Sequence, residues 1–535
     1  MTTGPVRMLR LGRAAATLAS AALYGLAFPP TAWRGLAWVA LVPFLVSVRR
    51  ARPLGAMGLA WLWTVGAAYA VGDWFARSVS TYYQQPVAIG IGFFAGVSSV
   101  MAAPYFIAFA LAYRALARRR GPMTLPLLAA ATWVTAELAR TNLLTGNPWA
   151  LFGYSQARVA PIVQIADVTG IYGVTFVLVA VNAALAEAWL AIRETPASLR
   201  PALAGLAVAG AAVAVVLVYG GWRLRQAADT GSPTVGTTAK VAIVQGNLDL
   251  GSQWRQEFYG RNLEAYMRLT QAALEAERPD VVFWPESAMT FFLDEEPLYR
   301  AALARVLQPH GAQLIAGAPR AVGSRDAPTY YNTAFLLAAD GRILGWYDKH
   351  RLLPFAEYFP LRSIALLRRR FARVREFTPG VSASLLPTPA GPAGIVICNE
   401  AVFPDIPAAR VRDGAAYLVN LANDTWVSDR TFSEQLFDIV SVRAVEQRRY
   451  LVRASTSGFS AIVDPWGRPQ VASEPFAQVW IAGTVRSADT VTFYCRAGDL
   501  FAGACAAVAA AGMLARARRR PTELGGEPIT GAEAA

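Results

Sequence analysis

Apolar stretches follow one another through the first 221 residues of the chain, and one more occurs near its end. A helix needs about 20 apolar residues to cross the hydrocarbon core of a bilayer; several stretches reach that length, whereas the first two are shorter. The sequence therefore predicts a multi-span α-helical membrane domain. Its stretches are Ala14–Phe28, Gly35–Val48, Gly55–Val71, Val87–Tyr113, Met123–Leu138, Val168–Ile192 and Leu203–Tyr219, and the later one is Val491–Leu514.

The charges of the chain follow the same division. Residues 1–221 carry 16 arginines and 5 acidic residues, whereas residues 222–492 carry 29 basic and 27 acidic residues. A net charge of +14 over 535 residues suggests nucleic-acid binding when it is considered alone. Here most of the net positive charge belongs to loops between apolar stretches, so we expect no nucleic-acid partner.

Arginine-rich and arginine-poor loops alternate along the apolar part. The poor loops carry Arg34, Arg77, Arg140 and Arg158; the rich loops and the tail carry sixteen, which are Arg7, Arg10, Arg13, Arg49, Arg50, Arg52, Arg114, Arg118, Arg119, Arg120, Arg193, Arg200, Arg516, Arg518, Arg519 and Arg520. Arginine-rich loops face the cytoplasm, so both termini are predicted to be cytoplasmic. Seven spans then place residues 222–492 on the outer side. A cleaved signal peptide is the alternative for the first stretch, but the stretches behind it favour an uncleaved anchor.

These patterns divide the chain into four parts. We predict a transmembrane domain over 1–221, an extracytoplasmic catalytic domain over 222–492, a transmembrane helix over 493–514 and a basic, then disordered cytoplasmic tail over 515–535.

Strand and helix patterns alternate in the middle part, as expected for a layered α/β domain. The predicted strands are Lys240–Gln245, Asp280–Trp284, Gln313–Ala318, Thr333–Ala338, Arg342–Tyr347, Gly394–Cys398, Tyr417–Ala422, Tyr450–Ala454 and Ala461–Asp464. The predicted helices are Trp254–Glu277, Pro297–Leu307 and Thr431–Glu446.

Lysine is rare in this chain. Of the 50 basic residues 48 are arginines, and the two lysines are Lys240 and Lys349. Arginine cannot give up its charge, whereas lysine offers a compact ammonium, so a remaining lysine is a candidate for a chemical role. Lys349 follows a predicted strand, where a catalytic and a structural role stay equally open. Lys240 lies at a domain edge, which favours a structural role.

Cys398 and Glu286 also follow predicted strands. Taken singly, each is better explained as an ordinary polar strand end. Together with Lys349 they supply a nucleophile, a base and a cation in one domain, which favours a catalytic function. Cys495 and Cys505 lie in the last apolar stretch and are interpreted as small buried hydrophobes. Three cysteines and two histidines make a disulfide framework or a metal site improbable.

The residues around these positions resemble a known family. The segments VVFWPES (281–287), YDKHRLLPFAEYFP (347–360) and ICNEAVFPD (397–405) resemble the motifs of the carbon–nitrogen hydrolase, or nitrilase, superfamily with its Glu–Lys–Cys triad. The apolar stretches, with VAIVQGN (241–247) and NPWALFGYSQ (147–156), resemble the membrane-bound apolipoprotein N-acyltransferase family over almost the whole chain. This resemblance implies a multi-span α-helical membrane domain plus an α/β nitrilase-like α-β-β-α sandwich domain.

The resemblance also implies roles for individual residues. Glu286 would be the base, Lys349 would stabilise the oxyanion and Cys398 would be the nucleophile. Residues implied to orient this triad are Glu357 and Glu400, and those implied to bind or gate substrate are Trp254, Trp149, Asn399 and Trp426. Asn399 stands where the family often has an aromatic residue, and NDTWVSD (423–429) lacks the family's Phe-Gly after tryptophan.

The implied reaction is acyl transfer in two half-reactions through a cysteine thioester. The donor would be a membrane phospholipid and the acceptor the N-terminal diacylglyceryl-cysteine of an apolipoprotein. No cofactor or metal is implied. We expect a monomer in the bacterial inner membrane, with the catalytic domain in the periplasm.

Two other functions remain open at this stage. A membrane-tethered amidase or nitrilase would use the same triad and pass the acyl group to water. A transporter with an extracytoplasmic binding domain would need ionisable groups inside its spans, for which Glu137 and Glu187 are the candidates.

Overall fold

The structure is a computed structural model, and it describes residues 4–194, 196–230, 236–248, 256–324, 327–354, 356–359, 376–382 and 384–517. A helical bundle forms from the first 230 residues. Its helices are α1 (Gly4–Leu26), α2 (Val42–Arg50), α3 (Pro53–Tyr83), α4 (Val87–Met101), α5 (Ala103–Ala117), α6 (Leu125–Asn142), α7 (Ala160–Val163), α8 (Ala166–Thr169), α9 (Ile171–Glu194) and α10 (Leu199–Thr230).

Three of the predicted spans are long apolar helices. Among the described residues, α3, α9 and α10 are long and apolar enough to cross a membrane, and α4 and α5 reach that length and hydropathy together, with a bend of 49° between them. α1 has 23 residues and α6 has 18, but neither is apolar enough to qualify in the same way. α10 continues past residue 221 to Thr230, because the polar residues after the apolar stretch still favour helix.

The second predicted span, Gly35–Val48, is wrong as a single helix. A 3₁₀ turn covers Arg34–Trp38, and α2 follows after a break with nine residues, which is about 13 Å of helix. The segment nevertheless runs along the bundle. Arg34 contacts Asp438 of the domain that follows (3.2 Å), and Arg49 contacts Glu187, far along α9 (3.0 Å).

A buried asparagine stabilises this break. The Asn182 side chain on α9 accepts a hydrogen bond from Leu41 N–H and donates one to the Ala37 carbonyl, both at 2.8 Å. Ser20 donates to the Ala40 carbonyl (2.6 Å). Irregular backbone at membrane depth is tolerated where the protein satisfies its polar groups. The apolar side chains of the segment are therefore core residues, which explains why their pattern resembled a span.

Among the described residues, the middle of the chain forms two six-stranded sheets. The strands are β1 (Thr238–Gln245), β2 (Val281–Phe283), β3 (Gln313–Ser324), β4 (Ala327–Leu337), β5 (Ile343–Asp348), β6 (Leu386–Thr388), β7 (Gly391–Ile397), β8 (Tyr417–Ala422), β9 (Leu451–Ser455), β10 (Ala461–Val463), β11 (Pro469–Ala472) and β12 (Val479–Arg486). The first sheet has the order β12-β1-β2-β3-β4-β5, and the second has the order β11-β10-β9-β8-β7-β6.

The two sheets pack face to face between helices. Apolar side chains of both sheets, such as Val241 and Phe283 from the first and Ile395 and Val419 from the second, form one buried cluster. α11 (Gln256–Glu277) and α12 (Pro297–Leu307) cover the outer face of the first sheet. α13 (Asp405–Arg412) and α14 (Arg430–Gln447) cover the second. The α-β-β-α sandwich predicted from the resemblance is confirmed.

α14 is also the main contact between the sandwich and the bundle. Its Gln435 accepts hydrogen bonds from the indoles of Trp74 and Trp149, and it donates to the Val71 carbonyl. At the end of the helix, Arg448 donates to Asp167 of α8 (2.8 Å). Apolar side chains of α14 and of the bundle belong to one continuous buried cluster. The two parts of the chain therefore share a core.

The chain returns to the bundle through two helices. The predicted stretch Val491–Leu514 is divided into α15 (Phe493–Ala497) and α16 (Leu500–Ala517). Gly498 lies between them with a φ of +57°, a conformation in which glycine is not penalised. α16 packs against α6 and is shorter than the long apolar helices.

The Asn182 contacts give a first prediction. Asn182→Ala leaves Leu41 N–H and the Ala37 carbonyl without their partner inside the bundle, so we expect it to lower the free energy of unfolding by on the order of 2–4 kcal/mol. The matched control is Asn142→Ala, because Asn142 is exposed at the end of α6. Thermal unfolding of both variants in detergent measures the difference, and an equal shift in the two melting temperatures would contradict this account.

Candidate active site

Glu286, Lys349 and Cys398 meet beside the ends of strands from both sheets. Glu286 follows β2, Lys349 follows β5 and Cys398 follows β7. Lys349 Nζ lies 3.4 Å from Glu286 Oε1, and the charges of both side chains act on the Cys398 thiol. The structure thus brings together the three residues that the sequence singled out.

Lys349 is a buried cation between two carboxylates. It is 1% exposed, and its Nζ lies 2.8 Å from Glu357 Oε2 in addition to its contact with Glu286. Burial favours the neutral amine, but the charges of Glu286 and Glu357 outweigh burial and hold the pKa of Lys349 well above its ordinary value. Lys349 is therefore an ammonium at neutral pH.

Asn332 of β4 connects the two carboxylates. Its amide nitrogen lies 2.7 Å from both Glu286 Oε1 and Glu357 Oε1. The other oxygen of Glu286 accepts the Asn423 N–H (2.8 Å), and the other oxygen of Glu357 accepts the Leu353 N–H (2.7 Å). Sequence reasoning missed Asn332. The available signal was a polar residue directly before the predicted strand Thr333–Ala338, since a polar group buried next to a strand needs a partner.

Cys398 has an unusual backbone conformation. Its φ is +52°, in the left-handed region that non-glycine residues rarely occupy and that clusters at functional sites. The residue keeps some exposed surface, yet protein surrounds it closely enough that burial is the main influence on the thiol. Burial and the Glu286 carboxylate raise the pKa of Cys398 well above its ordinary value, while Lys349 lowers it. The thiol is thus protonated at neutral pH.

Glu400 ties the cysteine strand to the lysine segment. It is fully buried, and its carboxylate accepts the backbone N–H groups of Ile397 (2.7 Å) and His350 (2.7 Å). The Arg351 N–H and the Tyr347 hydroxyl also donate to it, each at 3.0 Å. Burial raises the pKa of Glu400, although these N–H groups oppose the change. Glu400 therefore holds the neighbours of Cys398 and Lys349 in one place.

Of the residues considered for substrate binding, the structure describes Trp149, Trp426 and Asn399. Trp149 stacks on Phe432 with ring centres 5.5 Å apart, and Trp426 packs edge-on against the same ring at 5.8 Å. Asn399 follows Cys398 directly, and its Oδ1 is buried. Trp254 lies outside the described residues. Trp426 belongs to the same loop as Asn423, which contacts Glu286, so this aromatic cluster adjoins the site.

The described ranges contain no group of three or more His, Cys, Asp or Glu side chains placed to hold a metal ion. The Glu286 and Glu357 carboxylates are instead bound to the Lys349 ammonium and the Asn332 amide. Buried carboxylates, an ammonium and a thiol in this arrangement suit proton transfer and covalent chemistry at a carbonyl carbon.

Comparisons with known proteins match both parts of the chain. A family model described as the apolipoprotein N-acyltransferase N-terminal domain matches residues 20–184, and a carbon-nitrogen hydrolase model matches residues 240–491. A Geobacter metallireducens protein named apolipoprotein N-acyltransferase is 32% identical and covers 92% of each chain. One from Gloeobacter violaceus is 30% identical and covers 92% of this chain and 91% of its own. A Nesterenkonia amidase of the nitrilase superfamily aligns with a TM-score of 0.37 at 17% identity, over 49% of this chain and 95% of its own.

Because Lys349 and Glu286 shift the thiol pKa in opposite directions, removing each charge should move the pH dependence of Cys398 alkylation in opposite directions. Alkylation of Cys398 requires the thiolate. Lys349→Met removes a charge that lowers the thiol pKa, so the alkylation profile should move to higher pH by about one unit or more. Glu286→Gln removes a charge that raises the thiol pKa, so the profile should move to lower pH. Iodoacetamide labelling of Cys398, quantified by peptide mass across pH, measures both.

The matched control is Lys240→Met, because Lys240 is an exposed lysine paired with Glu277. It should leave the alkylation profile in place. Shifts of the same sign in the Lys349 and Glu286 variants would contradict the charge assignment.

Proposed function

The chain belongs to the apolipoprotein N-acyltransferase family, and on that premise we propose that it transfers a fatty acyl chain from a phospholipid to the N-terminal amine of diacylglyceryl-cysteine lipoproteins. The observation that carries this proposal is the buried Lys349 ammonium between two carboxylates beside the Cys398 thiol. The enzyme is an acyltransferase, and Glu286, Lys349 and Cys398 are proposed as its catalytic residues.

The first half-reaction forms a thioester. Since the Cys398 thiol is protonated at neutral pH, Glu286 takes its proton as the sulfur attacks the ester carbonyl carbon. The C–S bond forms, and the carbonyl oxygen becomes an oxyanion that the Lys349 ammonium stabilises. The ester C–O bond then breaks, and Glu286 returns its proton to the departing lysophospholipid. Electrostatic stabilisation of this kind is worth about 3–4 kcal/mol in related chemistry.

The second half-reaction transfers the acyl group to nitrogen. The acceptor amine attacks the thioester carbonyl, the C–N bond forms and the C–S bond breaks. Glu286, again a carboxylate, takes the proton from nitrogen and passes it to the Cys398 sulfur. Glu357 and Glu400 position these groups, as their contacts with Lys349 and with the N–H groups of His350 and Ile397 support.

The protein is a membrane protein, and its architecture fits two lipid-anchored substrates. The long apolar helices and the family both indicate an integral membrane location. We propose that both termini are cytoplasmic and that the catalytic domain faces the periplasm as a monomer. The arginine-rich loops support this orientation. Trp149, Trp426 and Trp254 are proposed to line the lipid entry.

Mass measurement tests the proposed reaction. Purified protein incubated with phospholipid should gain one acyl mass, hydroxylamine should remove it, and Cys398→Ala should abolish it. Cys495→Ala is the matched control and should acylate normally, because Cys495 is buried against the Ala408 carbonyl.

A diacylated lipopeptide should then discharge the acyl-enzyme as an amide. Absence of any acyl adduct on the native protein would contradict the acyltransferase proposal. Discharge exclusively to free fatty acid would instead favour an amidase-type hydrolase.

Cysteine labelling tests the proposed orientation. With the three native cysteines replaced by alanine, Leu298→Cys places a thiol at a residue that is 80% exposed on the sandwich. A membrane-impermeant maleimide should label it in intact spheroplasts. The control, Arg118→Cys in an exposed arginine-rich loop, should be labelled after permeabilisation alone. The reverse pattern would overturn the orientation.

A further inference from the structure

Three buried hydrogen-bond acceptors near Cys398 lack a donor. They are Asn399 Oδ1, Asp424 Oδ1 and Ser457 Oγ, and no residue that the structure describes donates a hydrogen bond to them. Asp424 is 1% and Ser457 3% exposed. Buried polar atoms are nearly always hydrogen-bonded, so each exception requires an explanation. Three exceptions that follow neighbouring strands, at the strand ends where Cys398 lies, point to a group that brings its own donors.

The three acceptors occupy equivalent positions on neighbouring strands. Each is the second residue after the end of a strand: Asn399 follows β7, Asp424 follows β8 and Ser457 follows β9. These strands are parallel and adjacent, with Ile397 paired to Leu421 and Ala422 paired to Ser455. Neighbouring strands lie about 4.8 Å apart. The acceptors therefore form a row along one sheet edge, and Cys398 stands at the β7 end of that row.

Buried contacts fix the central carboxylate of this row. Asp424 Oδ2 accepts hydrogen bonds from Arg453 Nη2 (2.7 Å) and Ser455 Oγ (2.8 Å). A Cβ on Gly458 would lie 2.0 Å from this same oxygen, so the turn after β9 closes tightly on it. With Oδ2 held in this way, Oδ1 is left free to accept. The charge of Asp424 also acts on the Cys398 thiol, which supports their proximity.

A primary ammonium matches this row. It carries three N–H donors and a positive charge that the Asp424 carboxylate stabilises. Cys398 and Asn399 both keep part of their surface exposed, whereas Asp424 and Ser457 are buried, so the row opens at its β7 end. A carboxylate, an amide oxygen and a hydroxyl would not form such a row for the neutral acyl chain of the donor.

We propose that Asn399, Asp424 and Ser457 form the subsite that binds the α-ammonium of the lipoprotein acceptor. This assignment rests on the proposed acyltransferase function and adds the recognition of its second substrate. Held by the row, the ammonium first loses one proton, which the Glu286 carboxylate accepts and releases to solvent. The freed lone pair then attacks the Cys398 thioester and the C–N bond forms. Glu286 takes the second proton from nitrogen and passes it to sulfur as the C–S bond breaks.

An ethanolamine headgroup of the donor phospholipid carries the same primary ammonium. The position of the row favours the acceptor as the source of this ammonium. The acceptor nitrogen must reach the thioester carbon on Cys398. The headgroup nitrogen, in contrast, is separated from the scissile ester by the glycerol and phosphate groups. Measuring the two half-reactions separately distinguishes these two sources.

Single-turnover rates of the full-length protein in detergent test the proposal. The variants are Ser457→Ala and Asn399→Leu, with Asp424→Asn as a third whose folding is checked by thermal unfolding. The acyl-enzyme is formed from phosphatidylethanolamine or phosphatidylglycerol and is then discharged by a diacylated lipopeptide or by water. In these variants we expect the rate of aminolysis by the lipopeptide to fall by about tenfold or more. The rates of acylation and of thioester hydrolysis should fall clearly less. The lipopeptide concentration for half-maximal discharge should rise.

The matched control is Ser441→Ala. Ser441 is also a buried serine, but its hydroxyl already donates to the Phe437 carbonyl in α14, so its variant should show no preferential loss of aminolysis. Subsite variants that behave like this control would overturn the proposal. A loss of rate confined to acylation by phosphatidylethanolamine would overturn the acceptor assignment and would show that the row binds the donor headgroup. Failure of the native protein to form any acyl-enzyme would overturn the proposed function, and the subsite with it.

Discussion

One buried ammonium determines how the site of this protein is built. Lys349 is almost completely excluded from water, and a charge in such a place is stable when opposite charges and hydrogen bonds surround it. Glu286 and Glu357 supply the charges, and Asn332 holds the two carboxylates at fixed positions. These side chains lie on or follow strands of the first sheet, and Glu286 also accepts the Asn423 N–H from the loop after β8 of the second sheet. The carboxylate that balances the lysine charge therefore also links the two sheets near Cys398.

The second constraint is the double role of α14. As a layer of the sandwich it covers the second sheet, and as a partner of the bundle it carries Gln435, Asp438 and Arg448 into contacts with membrane-side residues. These three side chains are buried and paired, so a shift of the helix would break several contacts at once. The loop between β8 and α14 carries Asn423, Asp424 and Trp426. The site therefore sits on the segment that joins the catalytic fold to the bundle.

The sequence predicted much of this arrangement, for identifiable reasons. Strands buried on both faces leave continuous apolar runs, and the groups that follow them, Glu286, Lys349 and Cys398, were visible as polar strand ends. The segment Gly35–Val48 was misjudged because apolar periodicity does not distinguish a lipid-facing span from core residues, and the Asn182 contacts that allow a break lie far away in sequence. Asn332 and the acceptor row depend on which strands become neighbours, and β6, β11 and β12 were not predicted, so a single sequence did not reveal them.

The left-handed backbone at Cys398 restricts which side chains this strand end can carry. A branched β-carbon is strongly disfavoured at positive φ, so threonine is excluded there by the main chain alone. Serine fits the same backbone but has a far less acidic group to activate. Glycine would relax the turn and remove the reactive atom. Among amino acids with a short nucleophilic side chain, the backbone therefore disfavours threonine, and the greater acidity of the thiol favours cysteine over serine before any substrate is considered.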